Sequence, residues 1–98
     1  MTVNVEKNGE TAVVFVEGRL DTVTAPDLEL SLKDLYDSVK TLVFDFEKLE
    51  YISSAGLRVL LGAQKTMNKL GSMSVRKVDS SVMEVFEITG FKDILTIE

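Results

Sequence analysis

Two adjacent serines, Ser53 and Ser54, carry the most evident chemistry in this sequence. They precede Gly56 and a leucine-rich segment with helical periodicity, so we expect them at the start of a helix. A serine at that position can serve as an N-cap, because its oxygen accepts a hydrogen bond from a free amide of the first turn. The same hydroxyl can accept a phosphoryl group, since a helix N-terminus favours negative charge. The pattern therefore predicts a cap, a phosphorylation site, or both.

Two carboxylates are the other candidates for a functional role. Asp21 follows an apolar strand and precedes a helix, where acids bond local amides and where ligand-facing residues of open α/β sheets also gather. Both roles remain open for Asp21. Asp45 lies inside an apolar strand, where a carboxylate has to be hydrogen-bonded, so we expect a structural role. The chain has no His to activate a serine and no phosphate-binding glycine motif, which disfavours an enzyme.

The composition narrows the classes of ligand. Without Cys or His the chain lacks a disulfide framework and the commonest metal ligands, so neither a metal nor a cofactor is predicted. The chain has 11 Lys and Arg and 16 Asp and Glu, and its net charge of −5 disfavours binding to nucleic acid or to anionic membranes. A protein partner is the expected ligand. The length of 98 residues predicts one domain, residues 1–98, and the start lacks the order of a signal peptide, so we expect a soluble cytoplasmic protein.

A hairpin opens the predicted fold. Val3 and Val5 alternate with polar residues, Asn8-Gly9 is typical of a type I′ turn, and Ala12–Val16 is a continuous apolar run. Leu42–Phe46 is short and almost wholly apolar, which predicts a strand covered on both faces by helices. Two later segments complete the strands: Met73, Val75 and Val78 in a fourth strand, and Ile94, Leu95 and Ile97 in a last short strand or ordered tail.

Three helices are predicted between these strands. The first follows a cap at Thr24 with Pro26 in its first turn, and Leu30 lies off its buried stripe. That stripe consists of Leu28, Leu32, Leu35, Tyr36 and Val39. The second runs from the serine pair to Leu70-Gly71 and the third from Asp79-Ser80-Ser81 to Gly90. The order predicts an α/β fold with a mixed sheet, whose loops Asp21–Thr24 and Glu50–Gly56 share one rim.

The motifs of the chain resemble those of STAS domains in bacterial anti-sigma factor antagonists. The segments that carry the resemblance are Gly18–Asp21, Leu42–Asp45, Tyr51–Leu60 and Ile88–Phe91. The resemblance implies a small mixed β-sheet flanked by α-helices. It also implies that the unphosphorylated protein binds an anti-sigma factor that is a serine kinase, and so frees a sigma factor. Phosphorylation by that kinase ends the complex, and a serine phosphatase reverses it.

The resemblance places the phosphoacceptor on Ser54, with Ser53 as the alternative. It also places Asp21 beside the acceptor, where an acid helps partner recognition. Many family members have Asp in place of Ser53 and a small residue in place of Arg58, so Arg58 either lies near an added phosphate or contacts a specific partner. The predicted partner surface comprises Asp21, Thr22, Thr24, Ser53, Ser54 and Arg58. The alternative function is a constitutive scaffold, or a module that binds a small ligand or nucleotide, in a signalling or transport complex.

Overall fold

Strands and helices alternate along the chain after an initial hairpin, as the sequence predicts. The computed structural model describes residues 1–98. The strands are β1 (Thr2–Asn8), β2 (Thr11–Leu20), β3 (Thr41–Asp45), β4 (Leu49–Ile52) and β5 (Ser72–Arg76). The α-helices are α1 (Ala25–Tyr36), α2 (Ser54–Leu70) and α3 (Ser80–Thr89), and a 3₁₀ turn follows at Phe91–Asp93. None of the three α-helices combines the length and the apolar character needed to cross a bilayer.

The sheet is mixed, with the long strand β2 at its centre. β1 pairs with β2 antiparallel, and β2, β3 and β5 follow one another in parallel. The first part of β2, Thr11–Phe15, pairs with β3, whereas Gly18–Leu20 pairs with β4. A register shift between Gly18 and Arg19 separates the two pairings. The α/β fold class is therefore confirmed, and β2 extends past the main sheet to hold the segment that leads into α2.

Helices and sheet share one apolar core that lies on a single face of the sheet. Alternate residues of the parallel strands belong to it: Ala12, Val14, Val16, Leu42, Phe44, Met73 and Val75. The residues that point to the other face, including Val13, Phe15 and Val43, are only half-buried. The prediction that helices cover β3 on both faces is wrong, because both crossover helices pack against each other on the same side.

The buried stripes of the helices follow the predicted spacing. α1 buries Leu28, Leu32 and Leu35 and half-buries Tyr36, while Leu30 is 62% exposed. The prediction that Val39 belongs to this helix is wrong, because α1 ends at Tyr36, although Val39 is buried. α2 buries more residues than either of the other α-helices. α3 begins at its predicted cap, where Asp79 accepts a hydrogen bond from Val82 N at 2.9 Å, and ends at Gly90.

Three local predictions need correction. Asn8 pairs with Thr11, so the turn is Gly9-Glu10, and only Gly9 has a positive φ, as in a type II′ turn instead of type I′. Glu50–Gly56 is not a loop, because its first part belongs to β4 and its last part to α2. β5 ends at Arg76, so Val78 lies outside the strand. Two alternatives were predicted for the C-terminus, a last short strand or an ordered tail. The structure shows the ordered tail, because Ile97 makes only a single bridge to Val75.

Candidate functional site

The two serines occupy different positions at the start of α2. Ser53 is the N-cap: its backbone is extended and its Oγ accepts a hydrogen bond from Gly56 N at 3.4 Å. Ser54 is the first residue of the helix and is exposed, and its hydroxyl makes no hydrogen bond within the chain. The predicted cap is therefore confirmed at Ser53. The hydroxyl of Ser54 has no part in holding the fold.

Close packing fixes this helix start against the end of β2. A Cβ atom on Gly56 would lie 2.8 Å from side-chain atoms of both Leu20 and Ile52, so only glycine allows α2 to approach so closely. Ser53 N also donates a hydrogen bond to Leu20 O at 2.9 Å. The predicted role of Gly56 in packing is confirmed, and the position of Ser54 depends on it.

The loop after β2 is organised by Asp21. Its Oδ1 accepts hydrogen bonds from Val23 N at 3.0 Å and Thr24 N at 3.1 Å. The bond from the Thr24 amide is the main reason why the pKa of Asp21 is lowered from its ordinary value. Thr24 occupies the cap position of α1 but its side chain makes no capping bond, so the predicted cap by this residue is wrong. Its hydroxyl donates instead to Arg19 O at 2.8 Å, within the loop.

An arginine and a tyrosine extend the rim of the site, and neither is predicted from the sequence. Arg19 and Tyr51 are paired across β2 and β4. The guanidinium carbon of Arg19 lies 4.1 Å from the centre of the Tyr51 ring, a cation–π contact. Arg19 Nε is also 3.9 Å from Asp21 Oδ2. The motif that contains Arg19 is a usable signal in the sequence, but the contact with Tyr51 depends on β4, which the sequence pattern does not predict as a strand.

The structure brings most of the predicted site residues to one rim. Thr22 and Arg58 line the same groove between α1 and α2, which Ala55 also borders. Asp21 and Ser53 are neighbours, because each lies next to a residue of the Leu20–Ile52 pair that ends the β2–β4 ladder. Thr24 differs from these residues, since its hydroxyl is engaged inside the loop. Contact of any of them with a partner stays a prediction.

Asp45 lies apart from the serines and has the expected structural role. It is 4% exposed, and its oxygens accept hydrogen bonds from Glu47 N at 3.1 Å and Arg76 Nε at 3.0 Å. Burial raises the pKa of Asp45, but the Glu47 amide and the Arg76 guanidinium more than offset it, so the pKa is lowered. The carboxylate thus ties β3 to β5 at the end of the sheet.

The family of the chain follows from its sequence as a whole. The sequence model of the STAS domain matches residues 2–98. The chain belongs to the STAS domain family. It is 31% identical over 98 residues to the anti-sigma-B factor antagonist of Bacillus subtilis (strain 168), a match that covers 99% of the chain and 90% of that protein.

Solved structures of STAS proteins share this fold. An anti-sigma factor antagonist from Mycobacterium paratuberculosis has a TM-score of 0.89 and 29% identity, and the match covers 98% of the chain and 83% of that protein. The antagonist SpoIIAA in its unphosphorylated form has a TM-score of 0.86 at 21% identity, with 99% and 88% covered. Its phosphorylated form has a TM-score of 0.79 at 20% identity, with 99% and 91% covered. The STAS fold is therefore confirmed over the whole described chain.

Proposed function

We propose that this STAS protein is an anti-sigma factor antagonist controlled by phosphorylation of Ser54. In its unmodified form it binds an anti-sigma factor that is also a serine kinase, and thereby releases a sigma factor. Phosphorylation ends the complex, and a serine phosphatase restores the binding form. The names of its relatives support the class of partner. The observation that carries the choice of residue is that Ser54 alone of the two serines has an exposed hydroxyl outside the hydrogen bonds of the fold.

The position of Ser54 suits a phosphoacceptor. Its side chain is exposed at the first residue of α2, so a kinase can reach the hydroxyl without unfolding the helix. Modification of Ser53 would instead disrupt the bond to Gly56 N that begins the helix. The free amides of the first turn also favour an added anion. These contacts favour Ser54 over Ser53 as the acceptor.

In the phosphoryl transfer, this chain contributes only the hydroxyl of Ser54. Ser54 Oγ forms a bond to the γ-phosphorus of ATP, while the bond between that phosphorus and the bridging oxygen breaks and ADP leaves. The proton of the hydroxyl passes to a base of the kinase. The antagonist is therefore the substrate, and its fold presents the nucleophile at the exposed first residue of α2.

Phosphorylation is expected to act on the contact surface and to leave the fold intact. The added group carries about −1.5 to −2 charges and lies on the rim that also holds the carboxylate of Asp21. Misplaced like charges at an interface weaken binding, so we expect at least about tenfold weaker binding of the partner. The unfolding free energy should change by less than about 1 kcal/mol, because the Ser54 hydroxyl makes no bond that can be lost.

Incubation with the cognate kinase and ATP, followed by phosphopeptide mapping, tests the proposal. One phosphate on Ser54 is expected in the natural chain and in the Ser53→Ala control, and none in Ser54→Ala, which should still bind the partner. Modification confined to Ser53 would contradict the choice of residue. If neither serine is modified, a constitutive scaffold or small-ligand module becomes the better interpretation. Amide shifts that spread across the whole sheet on phosphorylation would replace the surface mechanism with a conformational change.

A further inference from the structure

Arg58 is an exposed cation without an ionic partner in the chain. It lies on α2, one helical turn after Ser54, and no carboxylate oxygen is within 4.0 Å of its guanidinium. The other two arginines are both engaged, Arg19 with Asp21 and Arg76 with Asp45. Arg58 is thus the one arginine whose charge the fold leaves uncompensated.

The side chain of Arg58 lines the groove between α1 and α2. Two cavities of about 600 and 270 Å³ form this groove, and both are bordered by Glu29, Arg58 and Val59. Glu29 is already paired with Lys33 across one turn of α1, with 3.8 Å between Nζ and Oε1. Arg58 is therefore available to a carboxylate of a partner that lies along the groove.

We propose that Arg58 is the intramolecular counter-ion of phosphorylated Ser54, and that phosphorylation withdraws it from the groove. The inference rests on the proposed phosphorylation of Ser54. Residues four apart on a helix lie about 5–6 Å from each other at Cβ, and the favourable order puts the acid before the base. The planar guanidinium binds two phosphate oxygens at once, and the phosphate has about twice the charge of a carboxylate. Phosphorylation therefore adds a negative group and also removes a positive one from the partner surface.

Other charged side chains lie on the elements around this place. These are Arg19 on β2, Asp21 in the loop after it, Glu29 and Lys33 on α1, and Glu50 on β4. Substitution of Arg58 leaves all of them unchanged. A change in the titration of the phosphate then reports on Arg58 itself.

The first test places phosphoserine at position 54 during synthesis, so that no kinase is needed. A ³¹P NMR titration should give a second phosphate pKa that rises by about half a unit or more in Arg58→Gln. Arg58→Lys should keep part of the effect, because it keeps the charge but not the paired contact. Lys65→Gln is the matched control, an exposed cation of the same helix about two turns beyond Arg58, and it should leave the pKa unchanged. An unchanged pKa in Arg58→Gln, or an equal rise in Lys65→Gln, would overturn the proposal.

The second test asks whether phosphorylation withdraws Arg58 from the partner. Arg58→Gln should weaken binding of the anti-sigma partner at least about threefold in the unmodified chain, and should have no effect in the chain with phosphoserine at position 54. An equal loss in both forms would show that Arg58 stays in the groove. Failure of the kinase to modify Ser54 contradicts the proposed function, whereas failure of the NMR test contradicts only the role of Arg58.

Discussion

Alanine substitution of the two serines separates their roles, since the structure gives them different hydrogen bonds. Ser53→Ala removes the acceptor of the bond from Gly56 N, which is long at 3.4 Å. Loss of an N-cap costs typically about 1 kcal/mol, and the length of this bond favours the lower part of the range, about 0.5–1 kcal/mol. Ser54→Ala removes no bond and places a strong helix former at an exposed position, so the unfolding free energy should stay within about 0.3 kcal/mol.

Equilibrium unfolding in urea measures this difference. With a slope of about 1.5 kcal/mol/M, the midpoint of Ser53→Ala should fall by roughly 0.3–0.7 M, while that of Ser54→Ala should barely move. Ser53→Asp is the matched control, because aspartate caps as well as serine and should restore the midpoint.

One result would refute the assignment of the two hydroxyls. If Ser54→Ala proves as destabilising as Ser53→Ala, then Ser54 contributes to the helix cap. The hydroxyl of Ser54 would then not be free for modification without cost to the fold, whatever the mapping of phosphate later shows.

Three further predictions concern packing, charge and binding. Gly71→Ala should destabilise the chain by about 2 kcal/mol or more in urea unfolding, because its Cβ would overlap the carbonyl oxygen of Lys40, whereas Gly62→Ala in open space should stabilise it by about 0.5–1 kcal/mol. The lowered pKa of Asp45 means that its contribution to stability is present above its ordinary value of 3.8 and is lost as pH falls below it, so Asp45→Asn should flatten the acid side of a stability–pH curve; an unchanged curve would contradict this. Asp21→Asn keeps the oxygen that accepts the loop amides but removes the charge, so it should weaken partner binding about tenfold by calorimetry with little change in Tm; unaltered affinity would limit Asp21 to its loop.

The periodic elements could be predicted because each carries its own signal. The stripe of α1 recurs at helical spacing, and Met73 and Val75 of β5 are buried where the alternation puts them. Helix ends were also predictable, since Asp79 and Gly90 have side-chain or backbone properties that few other residues supply. The core of the fold is therefore encoded within short windows of sequence.

β4 could not be recognised in the same way. It has four residues, buried only at Leu49 and Ile52, so it shows neither alternation nor a continuous apolar run. It exists because β2 continues past its register shift and offers Gly18–Leu20 as a partner. A strand that forms because a partner strand is available needs no alternating or apolar pattern in its own sequence. The contact between Arg19 and Tyr51 was missed for the same reason.

The sequence predicts that Ser53 and Ser54 lie at the start of a helix, but not which of the two caps it. Sequence alone allowed either serine to be the cap, because both precede the first turn of a helix whose start is uncertain by one residue. The bond from Ser53 N to Leu20 O fixes that start, and it depends on the β2–β4 ladder. In the loop after β2, Asp21 Oδ1 accepts the bonds from the Val23 and Thr24 amides, while Thr24 Oγ1 accepts a bond from Asp21 N and does not cap α1, which again follows from the path of the backbone.

A switch site has to be fixed in place without using the hydroxyl that is modified. The bond to Leu20 O, the cap from Ser53 and the close approach at Gly56 together hold the start of α2, and none of them involves the side chain of Ser54. The stability of the helix start and the reactivity of its first residue therefore depend on different atoms. Under the proposed function, we therefore expect phosphorylation of Ser54 to cost the fold little and to act on the charges that face a partner.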